Sequence, residues 1–154
     1  MKNLVIGQSG GPTAVINASL YGAVKAFRES GADGHVLGMI NGIEGFLADH
    51  VMDLSTDLSN KELELLKLTP AAYLGSCRYK LPADLDSEVY PAIFDNFREM
   101  NIGYFLYVGG NDSMDTVDKL SRYAEKIGSD VKFIGIPKTI DNDLVLTDHT
   151  PGFG

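Results

Sequence analysis

A single cysteine, Cys77, rules out an intramolecular disulfide, and the two-cysteine spacings of zinc sites are absent. A reducing compartment is then the simplest assignment. No apolar stretch approaches the ~18 residues a membrane-spanning helix needs, and Leu4 to Ile6 runs straight into a glycine turn instead of a signal-peptide core. The expectation is a cytoplasmic protein with no membrane partner. Positive charge is scarce: 13 Lys and Arg face 21 Asp and Glu, a formal net charge of −8. That balance argues against nucleic acid or an anionic membrane as partner, since each needs a basic surface. Local cationic pockets remain compatible with it. No internal repeat, low-complexity tract or domain linker interrupts the chain.

What is present is enough for one domain with a real core: 154 residues, 44% hydrophobic. Seventeen glycines fall mostly at the ends of predicted strands, which suggests backbone lying close to a ligand. Asn3 to Gly7 reads as a short apolar strand, followed by Gln8-Ser9-Gly10-Gly11-Pro12 and a helix carrying Val15, Ile16, Leu20, Val24 and Phe27 on one side. Pro12 near its start and Gly31 past its end match the asymmetry of helix termini. His35 to Ile40 is the second strand, and Asn41 to Phe46 a glycine-bracketed turn. Ser59-Asn60-Lys61-Glu62 is a capping box opening a short helix through Leu65, Leu66 and Leu68. Leu74 to Lys80 is a small-residue loop that delivers two cations, Arg78 and Lys80. Ser87 to Met100 is a helix with Val89, Ile93, Phe97 and Met100 at helical spacing, and Pro91 falls near its first turn, where it is tolerated. Tyr104 to Val108 is a strand, Gly109 to Asp112 a turn, and Ser113 to Ile127 a helix with Val117, Leu120, Ala124 and Ile127 facing inward and Gly128 closing it. The all-apolar run at Phe133 to Ile136 has the character of a strand buried on both faces, ended by Pro137. Strand and helix alternate throughout, which predicts an α/β fold: three layers around a mainly parallel sheet with right-handed crossovers. The final residues, Asp148 to Gly154, carry glycines and a proline but no terminal element, so the expectation is a truncated domain.

Chemistry gathers at four predicted strand ends: Gly10 and Gly11, Arg78 in its loop, Gly109 to Ser113, and Lys138 to Asp143. Open α/β sheets bind ligands at the carboxyl ends of their strands. Glycine-rich turns at helix N-termini favour an anion, and the inventory of amides, cations and carboxylates is what phosphoryl transfer requires. Each carboxylate taken alone also fits a structural duty, Asp112 as the cap of the helix after it and Asp143 as the closure of an Asx-turn. Cys77 has no histidine base in a motif with it and reads as a small buried filler.

The stretches Gly10 to Asn17, Leu74-Gly75-Ser76-Cys77-Arg78, Gly109-Gly110-Asn111-Asp112-Ser113 and Pro137-Lys138-Thr139-Ile140-Asp141-Asn142-Asp143 together resemble the amino-terminal part of the phosphofructokinase family. The resemblance implies a phosphofructokinase-like amino-terminal domain over residues 1–154, with the carboxyl-terminal half that clamps the sugar phosphate absent, and a parent that is a homo-oligomer, dimer or tetramer. Asp141 would be the general base that takes the proton from the 1-hydroxyl of fructose 6-phosphate. Thr139, Ile140 and Asp143 would join it in holding the sugar. Gly10, Gly11, Gly110, Asp112, Ser113 and Lys138 would bind the phosphoryl donor, with Arg78 and Lys138 neutralising charge on the transferred group.

ATP-using members of the family typically have glycine where this chain has Asp112 and Lys138. A carboxylate at Asp112 adds bulk and negative charge where a nucleotide would pass, so the pair resembles the pyrophosphate-dependent branch. The family's usual Mg²⁺-binding aspartate is replaced by Asn111, which leaves Mg²⁺ to Asn111 or Asp112; an amide oxygen is the weaker ligand of the two. Three alternatives stand beside this reading: an ATP-dependent 6-phosphofructokinase, an NAD-kinase-like fold that shares the Gly-Gly-Asx turn, and a non-catalytic anion-binding or regulatory module. Asp141 speaks against the last, because a pure binding module needs no base.

Overall fold

Two strands at the centre are apolar along almost their whole length because both of their faces are covered. In a computed structural model, which describes residues 2–8, 14–31, 33–57, 61–62, 74 and 80–137, these are β1 (Asn3–Gln8) and β4 (Ile102–Gly109). Between and after them come α1 (Ala14–Glu29), β2 (Val36–Met39), α2 (Gly42–Leu47), β3 (Val51–Asp53), α3 (Leu54–Asp57), α4 (Val89–Glu99), α5 (Asn111–Ile127) and β5 (Lys132–Pro137). The sheet has the order β3-β2-β1-β4-β5. β1 pairs in parallel with β2 and β4, and β4 with β5, while β3 runs antiparallel to β2.

Side-chain alternation along each strand splits the core in two. Val5, Phe105 and Tyr107 face α2, α4 and α5, joining Ile43, Phe46, Tyr90, Ile93, Phe94, Phe97 and Leu120. Leu4, Ile6, Leu106 and Val108 face the other way, onto Leu20 and Val24 of α1 with Val36, Leu54 and Leu74. The expected three-layer α/β architecture is therefore observed. The first cluster is dominated by aromatics: Phe97 lies with ring centroids 5.5 Å from Phe46, 5.0 Å from Phe94 and 5.7 Å from Phe105. Such pairs add about 0.5–1.5 kcal/mol each beyond the area they bury.

The helices follow their sequence signals with three corrections. Residues 41–46 are not a turn: Asn41 (φ 60°) and Gly42 (φ 63°) adopt left-handed conformations, and α2 starts at once with Ile43 and Phe46 buried. Gly45 serves packing, since a Cβ there would lie 1.5 Å from the carbonyl oxygen of Ile40. Next, α5 begins at Asn111, not Ser113, so Asn111 and Asp112 belong to its first turn. Leu120 and Ala124 face the core and Gly128 (φ 70°) closes the helix as expected, but Ile127 is 43% exposed. It borders a cavity of about 490 Å³ together with Phe94, Phe97 and Tyr104 instead of reaching the core.

The third correction concerns β5, which among the described residues pairs with β4 alone and is the outermost strand on its side. Phe133 packs 5.6 Å from Phe105. On the opposite face Ile136 only borders the cluster under α1, and Ile134 is 49% exposed, so the strand is not buried on both faces. β3 and α3 had no counterpart in the sequence reading. The helix expected from Ser59 through Leu68 lies outside the described residues, apart from Lys61 and Glu62, which are helical. Among the described residues no helix is long and apolar enough to cross a membrane.

Phe97 joins α4 to β4 and β5 through ring contacts, so Phe97→Ala should cost about 3–5 kcal/mol, the usual range for a buried aromatic. Urea unfolding monitored by circular dichroism reads that loss directly; a cost below about 1 kcal/mol would mean that this cluster does not hold the sheet.

Candidate active site at the carboxyl ends of the strands

The connection leaving β1 leads to β2 on one side, whereas β4 lies against the other side of β1. The chain therefore diverges between β1 and β4, and such a switch point opens a crevice at the carboxyl ends of the strands. Register sets the level of this edge: Gln8 lies opposite Val108, and Gly109 opposite Pro137. Gly10, Gly11, Arg78, Lys138, Thr139, Ile140, Asp141 and Asp143 lie outside the described residues. Gln8 and Pro137 are the last described residues before two of those groups, and both stand at this edge.

The third turn is described in full. Gly110 is the residue before α5, extended at φ −84° and ψ −156°, and it caps nothing with a side chain. Its carbonyl accepts hydrogen bonds from the backbone N–H groups of Ser113 and Met114, 3.1 Å each. Asp112 is consequently not the helix cap that one reading allowed. It sits within the first turn, near the positive end of the helix dipole, with its side chain 77% exposed. Ser113 is buried at 2% exposure, on the opposite side of the first turn from solvent. Asn111 precedes Asp112 and is exposed.

Asp112 has a partner from a distant part of the chain. The Lys80 ammonium lies 3.6 Å from Asp112 Oδ1, and its own side chain is 70% exposed. An ion pair this exposed is worth only about 0–1 kcal/mol of stability. The backbone next to Lys80 is firmly held: Leu81 is buried, its carbonyl accepts a 2.9 Å hydrogen bond from Lys119 Nζ of α5, and the Pro82 carbonyl accepts one from the Tyr90 hydroxyl. Lys119 in turn pairs with Asp115 at 2.6 Å. At the far end of α5, Lys126 donates to Asp86 at 2.6 Å, which holds the Asp86 carboxyl below its usual range and raises the Lys126 ammonium.

Gln8 is a buried residue at this edge that the sequence did not single out. Its side chain is fully buried; Nε2 donates to Asn17 Oδ1 of α1 at 3.1 Å, and Oε1 accepts from the backbone N–H of Leu74 at 2.9 Å. The Leu74 carbonyl accepts from Asn41 N–H, also at 2.9 Å. Leu74 is the last described residue before the Arg78 loop, and it is fastened to the ends of β1 and β2. Lys80, on the other side of that loop, stands beside α5. The anchors of the loop thus lie on both sides of the switch point. A buried polar residue ending an apolar strand was the available signal, and it was masked by the glycine turn that follows.

Among the described residues no group of three or more His, Cys, Asp or Glu side chains converges as a metal cage. What the described residues place together here is the N-terminus of α5 and the Lys80 ammonium, both suited to an anion, with the accessible Asp112 carboxylate beside them. These features stand at the carboxyl edge of a mainly parallel α/β sheet of order β3-β2-β1-β4-β5, and the comparison with known proteins places the chain in a family. The phosphofructokinase family profile matches residues 3–154, and the chain belongs to that family. It is 45% identical over 150 residues to the pyrophosphate--fructose 6-phosphate 1-phosphotransferase of Rhodospirillum rubrum, covering 97% of this chain and 36% of that one. The enzyme of the same name from Halomonas elongata is 44% identical over 155 residues, covering 99% of this chain and 36% of that one. The crystal structure of a pyrophosphate-dependent phosphofructokinase from Nitrosospira multiformis superposes with a TM-score of 0.88 at 41% identity, over 98% of this chain and 37% of that one. The chain thus spans a little over a third of the length of the relatives it matches.

Gln8→Leu keeps the shape of the side chain but leaves Leu74 N–H and Asn17 Oδ1 without this partner. A loss of about 1–3 kcal/mol is expected, measured by chemical denaturation. A neutral effect would show that other groups satisfy both atoms.

Proposed function

We propose that this chain is the donor-binding and catalytic amino-terminal domain of an enzyme that transfers a phosphoryl group from Mg²⁺-bound pyrophosphate to the 1-hydroxyl of fructose 6-phosphate. Fructose 1,6-bisphosphate and orthophosphate are the products, a glycolytic step in the cytoplasm. The remaining length of its relatives would supply the clamp on the sugar's 6-phosphate, in a homo-oligomer. One observation carries the donor choice: Asp112, an accessible carboxylate on the first turn of α5, beside the switch point. A pyrophosphate ends at its second phosphate, whereas a nucleotide must pass on into the space this carboxylate occupies. The names of the relatives agree with that reading.

In the reaction the 1-oxygen of the sugar forms a bond to the near phosphorus of pyrophosphate, the bridging P–O bond breaks, and orthophosphate leaves with the electron pair. The hydroxyl proton goes to Asp141. Lys138 and Arg78 offset the charge that spreads over the transferred group, and backbone amides at Gly10, Gly11 and Gly110 hold the donor. Thr139, Ile140 and Asp143 orient the sugar. Mg²⁺ is usually bound by one or two carboxylates together with substrate phosphates, so a single accessible carboxylate fits it. Asp112 would hold it, aided by the amide oxygen of Asn111, and the metal would neutralise phosphate charge.

A polypeptide of the relatives' length that carries this chain should use Mg-pyrophosphate far better than Mg-ATP, and Asp112→Gly should narrow the gap. Equal kcat/KM for both donors before any substitution would overturn the reading. In the same polypeptide Asp141→Asn removes the proton acceptor and keeps the shape, so kcat should fall by roughly 10²–10⁴ with little change in KM. Should Asp143→Asn prove the more damaging of the two, the base has been misassigned.

A further inference from the structure

A carboxylate that discouraged a nucleotide by charge alone would discourage pyrophosphate as well, since both are polyanions. A local cation beside Asp112 therefore bears on donor choice, and among the described residues its own helix does not supply one. Three aspartates lie on α5 at Asp112, Asp115 and Asp118; Asp115 pairs with Lys119 at 2.6 Å and Asp118 with Arg122 at 3.1 Å, each a cation four residues on. Four residues after Asp112 stands Thr116, whose hydroxyl donates to the Asp112 carbonyl at 3.2 Å. The cation for Asp112 comes from outside the helix, as Lys80 at 3.6 Å.

The position of Lys80 is set by its neighbours. Leu81 is buried, and Lys119 of α5 holds its carbonyl, so the chain just after Lys80 is fixed against the same helix that carries Asp112. Beyond that fixed point the Lys80 side chain is solvent-facing, so its ammonium can turn from the carboxylate to an arriving anion without breaking packing. A lysine is suited to this, as a point charge on a flexible stem with three donors.

We infer that Lys80 is a specificity-determining residue for the phosphoryl donor: Asp112 holds its ammonium at the start of α5, and the two side chains select a short polyanion as one unit. The carboxylate bars the longer donor, and the lysine restores attraction for the shorter one by meeting its terminal phosphate. This rests on the pyrophosphate reading above.

The test uses the polypeptide of the relatives' length with both donors and the variants Lys80→Met, Lys80→Arg, Asp112→Gly and the double variant Lys80→Met/Asp112→Gly. Lys80→Met should raise KM for pyrophosphate about tenfold or more, with kcat held within about threefold. Lys80→Arg should restore KM to within about threefold of the unmutated protein. In the Asp112→Gly background the effect of Lys80→Met should shrink below about threefold, the signature of two coupled groups. Equal effects of Lys80→Met in the two backgrounds, or an unchanged KM for pyrophosphate in the otherwise active single variant, would overturn the inference and leave the donor reading standing. Failure of the donor reading appears earlier and separately, in the unmutated protein, as a lack of preference for pyrophosphate. Melting temperature distinguishes a structural role: the pair is exposed, so Lys80→Met should leave it nearly unchanged.

Discussion

Parallel pairing of β1 with β4 is the constraint on which the rest of this structure depends. The two strands run side by side from Leu4 against Tyr104 to Gln8 against Val108. With the side-chain period of two, that register assigns every apolar residue of both strands to one face or the other. It thereby sets which helices find a core: α4 and α5 on one side, α1 on the other. The same pairing makes the functional edge. Because the next strand in sequence after β1 lies on its far side from β4, the two strands form a switch point, where open α/β sheets bind ligands.

How well the sequence foretold each element tracks how many residues carried its signal. β1 announces itself by the short apolar run Leu4 to Ile6 and β4 by a longer one, and α4 and α5 by repeated apolar positions on one face, because central strands and half-buried helices must be written that way. A three-residue strand such as Val51–Asp53 has too little pattern to register. At Asn41 to Phe46 the glycines signal a turn, but Gly45 is there for its lack of a Cβ, and a one-and-a-half-turn helix forms around it. β5 was legible as a strand and not in its exposure: the run Phe133 to Ile136 says that both faces are apolar, not whether both are covered.

The site shows the same division. The turn at Gly109 to Ser113 was legible from sequence and stands at the carboxyl end of β4, because strand ends are where glycines and acids have no packing duty. Pairings across the chain were not. Nothing local links Lys80 to Asp112, and nothing local shows that Gln8 reaches both Asn17 and Leu74. Those contacts exist only once β1 and β4 are side by side. The role of Asp112 also depended on where α5 begins: a start at Ser113 would have made it a cap engaged with backbone, whereas a start at Asn111 leaves its carboxylate facing solvent.

That freedom is what gives a strongly acidic chain a use for one more acid. A formal charge of −8 works against the approach of any polyanion, and attraction must be built locally from a few cations and amides. Placing a carboxylate inside such a pocket is costly unless it is paired, and pairing within the helix would have made it one more surface ion pair, like Asp115 with Lys119. A partner drawn from a separate segment behaves differently. Lys80 is tied to α5 firmly through the backbone at Leu81 and only by an exposed 3.6 Å ion pair through its own side chain, so its charge can be shared between the protein and a ligand. Under the proposed donor selection the carboxylate would act on donor length and the lysine on donor charge, two properties that a single residue at this position could not separate.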